Sequence, residues 1–227
     1  MKLSNQNLKD KTFWEKAAIT LPNFDREAMI TATKANPKWV HFGAGNIFRA
    51  FPAAMMQKLL ENGEETTGIT VAEGYDGEII DKCFTAFDNL TILVTLKSDG
   101  TTEKQVIGSV ASAVRMDNDI ETLKKIFASP SLQMASFTIT EKGYNLQNRD
   151  GVLFPDIEED IITGPGFPKS YLGRITSLCH ERFLHGALPL ALVSMDNCSH
   201  NGDILFAAIE TIARYWVTNG EIGRAHV

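Results

Sequence analysis

The apolar run Trp39-Val40-His41-Phe42 stops abruptly at Gly43-Ala44-Gly45, and a helical pattern takes over at Asn46. A short run apolar on both faces is the mark of a strand inside a parallel sheet, where helices cover both sides. Glycine at 43 lets the chain turn sharply off the strand, and glycine at 45 leaves the backbone bare to anything that must approach it. From Asn46 to Leu60 the apolar residues Ile47, Phe48, Phe51, Met55 and Leu59 recur at helical spacing, and Asn62-Gly63 stops the pattern. Strand, glycine turn and helix form the first half of a βαβ unit.

The rest of the chain repeats that alternation. Strands are expected at 68–72, 90–97, 105–114, 134–140 and 188–195, the second and third joined by a hairpin turn at Ser98-Asp99-Gly100. Helices are expected at 120–127, 171–184 and 203–216, with 145–169 read as a long loop because it is rich in Gly, Pro, Asp and Asn. The fold class that follows is α/β, a doubly wound and mostly parallel sheet. Residues 1–38, polar and helix-prone with Pro22 and Pro37, read as a lead-in segment packed on the outside of one domain over 39–220.

Composition removes several classes of function. With 44% hydrophobic and 22% charged residues over 227 positions, the chain can build a globular core. Its net charge is −6, and no basic run exceeds Lys124-Lys125, so nucleic acid is not an expected partner. Three cysteines (Cys83, Cys179, Cys198) without C-x-x-C spacing give neither a disulfide framework nor a zinc site. The polar N-terminus has no secretory h-region, and no apolar stretch nears the ~20 residues that cross a bilayer. A reduced, cytoplasmic protein without a membrane partner or a metal is the expectation.

Three stretches offer chemistry. The glycine turn, Phe42 to Arg49, suits a dinucleotide: the second glycine admits the pyrophosphate, and the helix that follows offers its first N–H groups. Phe48 occupies the place of the usual third glycine. An acid at the end of the second strand binds the adenosine ribose in such sites, and Glu73 fits, with Asp76 as runner-up. An acid there repels a 2′-phosphate, which favours NAD over NADP. The second stretch, Thr138 to Tyr144, follows a buried strand at its carboxyl end, where open α/β sheets bind ligands. Lys142 with Glu141 reads either as a catalytic pair or as a surface ion pair beside a turn.

The third stretch, Ser194 to Gly202, also follows a buried strand. It admits a Cys198/His200 nucleophile and base, a metal bound by Cys198, His200 and Cys179, or an amide donor, Asn197, for a substrate oxygen that gains charge. Residues two apart rarely meet in a nucleophile's geometry, and the metal reading lacks ligand spacing, so Asn197 ranks first. His41, His180 and His185 read as packing or surface residues.

Taken together, VHFGAGNIFRAF (40–51), TITEKGY (138–144) and SMDNCSHNG (194–202) resemble the polyol-specific long-chain dehydrogenase/reductase family over roughly residues 37–217. The resemblance implies a Rossmann-type domain and an NAD-dependent, metal-independent oxidoreductase of a sugar alcohol or aldonate. Gly43, Gly45 and Asn46 match that family's pyrophosphate loop, and Arg49-Ala50 its Arg-Ala pair. With Phe42, Ala44, Ile47, Phe48 and Glu73 they make up the expected cofactor site. Thr140 matches a stretch near the nicotinamide, and Asn197 an asparagine of the oxyanion hole. Lys142 is not the base in that family. Its base lies in a K-x4-N-x2-H motif of a helical C-terminal domain, and this sequence has no such motif.

The expectation is therefore an N-terminal fragment, inactive alone and missing a domain of the same chain. The spellings VAEGYDGEIID (71–81) and SMDNCSHNG (194–202) look more like a reductase of D-fructuronate to D-mannonate than a D-mannitol dehydrogenase. A stand-alone nucleotide-binding module is the alternative from another class. Glu221 to Val227 is what GAG-ATC-GGA-AGA-GCA-CAC-GTC encodes, which from its second base is the start of a common sequencing adapter. A non-native tail over 221–227 is the corresponding expectation.

Overall fold

The computed structural model describes residues 1–223. The chain divides into two compact units, Met1–Asp119 and Ile120–Val227.

In the first unit, helices α1 (Lys11–Lys16) and α2 (Arg26–Ala35) precede strand β1 (Trp39–Phe42). Asp10 and Asp25 cap these helices through their side chains, accepting from the amides of Phe13 and Ala28. Then come α3 (Asn46–Ala50), α4 (Pro52–Glu61), β2 (Ile69–Glu73), the hairpin β3 (Thr91–Leu96) and β4 (Thr102–Ile107), and β5 (Val110–Arg115). Strand β2 lies between β1 and β5 and pairs in parallel with both, from Trp39 opposite Ile69 to Glu73 opposite Arg115. Phe48, Ile69, Val71, Ile80, Phe84 and Ile107 pack the core of this unit.

The structure corrects the sequence reading here in two places. The single helix expected from Asn46 is two helices, because Pro52 has no N–H to continue the ladder and instead opens α4 at its first position. The break redirects the faces. Of the five periodic apolar residues only Phe48 is buried, whereas Ile47, Phe51 and Met55 are 64%, 65% and 65% exposed. The buried side of α4 is Ala53, Met56, Gln57 and Leu60.

The run 105–114 is likewise not one strand. It parts at Gly108, whose amide donates to Gln57 Oε1 at 2.7 Å and whose carbonyl accepts from Arg26 Nε at 2.9 Å. A Cβ at Gly108 would press to within 3.1 Å of Pro22 and 3.2 Å of Arg26. Residues before this point complete the hairpin, and those after it join β2. Arg26 also donates to the carbonyls of Asp88 and Val110, which ties the lead-in segment to this unit.

The second unit contains α5 (Ile120–Ala128), β6 (Met134–Phe137), α6 (Pro155–Thr163), α7 (Tyr171–Leu184), β7 (Ala191–Ser194) and α8 (Asn201–Thr218). Strands β6 and β7 pair in parallel, Met134 opposite Ala191 through Phe137 opposite Ser194. Helix α6 corrects the long loop expected over 145–169. Pro155 opens the helix, Asp156 and Glu158 stand in its first turn, Ile157 and Ile161 are buried four residues apart, and Gly164 at φ +75° ends it. The residues that suggested a loop mark the ends of the helix.

Asp160, on α6, is fully buried and accepts from the amides of Lys169 and Ser170, while Trp216 Nε1 on α8 donates to its carbonyl at 2.7 Å. Arg182 on α7 is buried too and donates to the carbonyls of Phe127, Ser129, Leu132, Leu188 and Pro189. Within the expected tail, Glu221 donates its amide to Trp216 O at 2.8 Å and Ile222 is buried. Residues 224–227 of that tail lie outside the described residues. Among the described residues, no helix is long and apolar enough to cross a membrane.

Candidate functional site

Strand β1 ends at Phe42, and Gly43 takes φ +114°, a conformation that a side chain at Cβ opposes. Its amide donates to Ala72 O at 2.9 Å, which brings the turn against the end of β2. The next amide, of Ala44, donates to Glu73 Oε2 at 2.8 Å. Glu73 Oε1 accepts from the amides of Gly74 and Tyr75, both at 2.9 Å. The acid expected to face a ribose is therefore buried, and both of its oxygens are committed to backbone that frames the turn.

Gly45 faces the other way. A Cβ built there meets nothing within 4 Å, so the space in front of it is open. Asn46 Oδ1 accepts from Arg49 Nη2 at 2.6 Å, and the Arg49 guanidinium lies 5.8 Å from the Phe84 ring centre. Arg49 Nε is buried without a hydrogen-bond partner among the described residues. The side chains of Phe42, Ala44 and Phe48 are fully buried beneath the turn, whereas that of Ile47 is exposed. An open glycine backbone beside an orphaned cationic donor fits an anionic ligand such as a pyrophosphate.

Phe48, standing where a third glycine is usual, lies on His41, with ring centres 4.3 Å apart and planes 12° from parallel. His41 has no exposed surface. Burial pushes its imidazole down to about 3, against a weaker upward pull from its Gly43 backbone hydrogen bond. It is a neutral packing residue at pH 7, as the sequence indicated.

In the second unit the turns after β6 and β7 meet at one carboxylate. Asp196 Oδ2 accepts from Ile139 N at 2.9 Å and from the Tyr144 hydroxyl at 2.6 Å, and Oδ1 accepts from Thr140 N at 3.0 Å. The Tyr144 and Ser194 hydroxyls are 2.8 Å apart. Asn201 Nδ2 donates to the carbonyls of Ser194 and Asp196 at 3.1 and 2.9 Å. Thr140 sits at φ +67°, ψ 157°, where a β-branched residue is strained. Burial, and then the Asp196 carboxylate, push the Tyr144 phenol above its ordinary range.

Thr140 and Asn197 are both exposed at the carboxyl ends of these strands, flanking Asp196. Neither Asp196 nor Tyr144 stood out in sequence, although both lie inside the quoted stretches. Cys198 has its thiol pushed up by burial and by the charges of Glu141 and Asp196, the reverse of an activated nucleophile. Cys179 is pushed up to about 12 by burial. His200 Nδ1 lies 3.3 Å from Asp203.

The family model for the mannitol dehydrogenase Rossmann domain matches residues 37–226. A D-mannonate oxidoreductase of Thermotoga maritima is 48% identical over 223 residues, 97% of this chain and 41% of that protein. One of Escherichia coli is 30% identical over 196 residues, 79% of this chain and 40% of that one. A solved structure of Pseudomonas fluorescens mannitol 2-dehydrogenase, a ternary complex with NAD and D-mannitol, superposes with a TM-score of 0.79 at 26% identity. It aligns with 96% of this chain and 44% of its own. The chain thus spans about two fifths of the length of the curated relatives it matches. A parallel α/β sheet of Rossmann type, the glycine turn at its first strand and the match over residues 37–226 agree: the chain belongs to the mannitol dehydrogenase family, of which it carries the Rossmann domain.

Proposed function

We propose that this chain is the nucleotide-binding part of an NAD-dependent oxidoreductase that interconverts D-mannonate and D-fructuronate. The observation that carries the reading is the 48% identity to a D-mannonate oxidoreductase over almost the whole chain. Oxidation of D-mannitol to D-fructose is the second reading, favoured by the likeness to a mannitol 2-dehydrogenase structure. NAD supplies the hydride acceptor, leaving the protein to bind, orient and stabilise charge.

In the first unit the turn from Phe42 to Arg49 takes the pyrophosphate, with Gly45 giving the close approach and Arg49 a positive charge. Glu73 holds the turn in shape, and its negative charge disfavours a 2′-phosphate. In the second unit Thr140 serves the nicotinamide side. Asn197 donates its amide to the substrate oxygen, which carries more negative charge in the transition state than in the alcohol or ketone. The family resemblance places the general base in a motif outside the matched stretches, so the residues of this chain are assigned binding, orientation and charge stabilisation. A cytoplasmic location goes with this reading, supported by the three unpaired cysteines.

The test is NADH binding to the chain, followed by nucleotide fluorescence. Replacing Gly45 with valine puts a branched side chain into the open space where the pyrophosphate lies, and NADH binding is expected to be lost. Unchanged affinity would remove the pyrophosphate from this turn.

A further inference from the structure

At the carboxyl ends of β6 and β7 the Asp196 carboxylate gathers three donors. Its two oxygens take the consecutive amides of Ile139 and Thr140, and Oδ2 also takes the Tyr144 hydroxyl, spanning the whole turn from 139 to 144. Its own carbonyl accepts from Asn201 Nδ2 at 2.9 Å and from Cys198 N at 3.0 Å, so Asn197 sits in a loop closed on both sides. Thr140 keeps a left-handed backbone, which persists only where the surroundings over-determine it.

We propose that Asp196 is a positioning residue, whose carboxylate holds the Thr140 turn in its strained form and sets it against the loop that presents Asn197. The inference rests on the reading that the chain binds NAD. Asp196 touches neither nucleotide nor substrate; it acts through Thr140 and Asn197. A carboxylate is suited to the task because it only accepts, and it can receive two neighbouring amides and a phenol at once. An asparagine at this place has one accepting oxygen, and its NH2 group faces one of the two amides donor to donor.

The experiment compares NADH with ADP-ribose, which lacks the nicotinamide, on the chain and on Asp196→Asn. The expected result is a loss of roughly tenfold in NADH affinity with ADP-ribose held within about twofold, in keeping with the removal of a charge-assisted hydrogen bond. Ultraviolet titration of the four tyrosines supplies a second readout. The Tyr144 phenol, held above its ordinary range by burial and then by the Asp196 carboxylate, is expected to titrate earlier in the variant. A general loosening of the fold weakens both ligands alike, and that outcome overturns the proposal, as does an unchanged NADH affinity or an unchanged titration.

If Asp196→Asn does not fold by circular dichroism, Tyr144→Phe takes its place. It keeps both amide contacts, and the expected loss is about threefold for NADH alone; equal effects on the two ligands overturn the proposal. Should the parent chain bind neither ligand, the NAD reading itself fails and this inference falls with it. If the parent binds both while the variants show no selectivity, only the role of Asp196 is refuted.

Discussion

Lowering the pH from 7 to 5 is expected to cost the protein about 2 kcal/mol of stability through His41 alone. The side chain is on β1, has no exposed surface and lies flat on Phe48, so a proton on its ring would be a buried charge. Burial holds the folded imidazole at about 3, whereas the unfolded chain titrates near its ordinary value of ~6.5. Between those values the unfolded state binds a proton that the folded state refuses. Stability therefore falls as pH drops through ~6.5 and goes on falling toward 3. The slope approaches ~1.4 kcal/mol per pH unit, which integrates to about 2 kcal/mol between pH 7 and 5 and to about 4 kcal/mol by pH 3. Against a total of ~5–15 kcal/mol, the first step alone lowers the melting midpoint by roughly 4–8 °C. Urea unfolding at pH 7, 6 and 5 of the parent and of His41→Phe, which keeps the stack on Phe48, isolates the contribution. Groups common to both proteins cancel in the difference. The variant is expected to lose about 2 kcal/mol less than the parent over this range; parallel losses would refute a neutral, buried His41.

Two further substitutions test the frame of each unit. Glu73→Gln leaves one accepting oxygen where the amides of Ala44, Gly74 and Tyr75 now find two, and it is expected to cost about 1–3 kcal/mol in denaturant unfolding and to weaken NADH binding. Arg182→Met strands five carbonyl acceptors around α7, and a loss of about 3–5 kcal/mol is expected, read from the urea midpoint at constant m-value.

What was legible in the sequence was local. The turn at Gly43 follows from a strand that must reverse without a side chain in the way, and the strands and helices around it follow from short-range apolar spacing. What stayed hidden depends on residues far apart. The parting at Gly108 is made by Gln57 and Arg26, 51 and 82 positions away. Glu73 could be placed at the end of its strand, but its partner Ala44 lies 29 residues back, and that bond to the glycine turn is not visible in local spacing. Asp196 escaped for the same reason, since Ile139 and Thr140 are 57 and 56 residues from it. Helix α6 was hidden by its own boundary residues. Composition averaged over 145–169 mixes the proline and glycine at its ends with the two isoleucines that bury its face.

Strand β3 pairs with β4 alone and shows Ile92, Val94 and Leu96 to solvent, the last of them 79% exposed. Thr91 to Leu96 is six uncharged, mostly β-branched residues without glycine or proline, the composition that stacks into cross-β fibrils. Its outer edge offers a row of backbone groups to any second copy that approaches. The charges of Lys97 and Glu103 flank it as gatekeepers, and they pair with each other. Preparations held at high concentration, or salted with sulfate, are therefore expected to associate through this ribbon, and Val94→Lys is expected to keep such samples clear by light scattering.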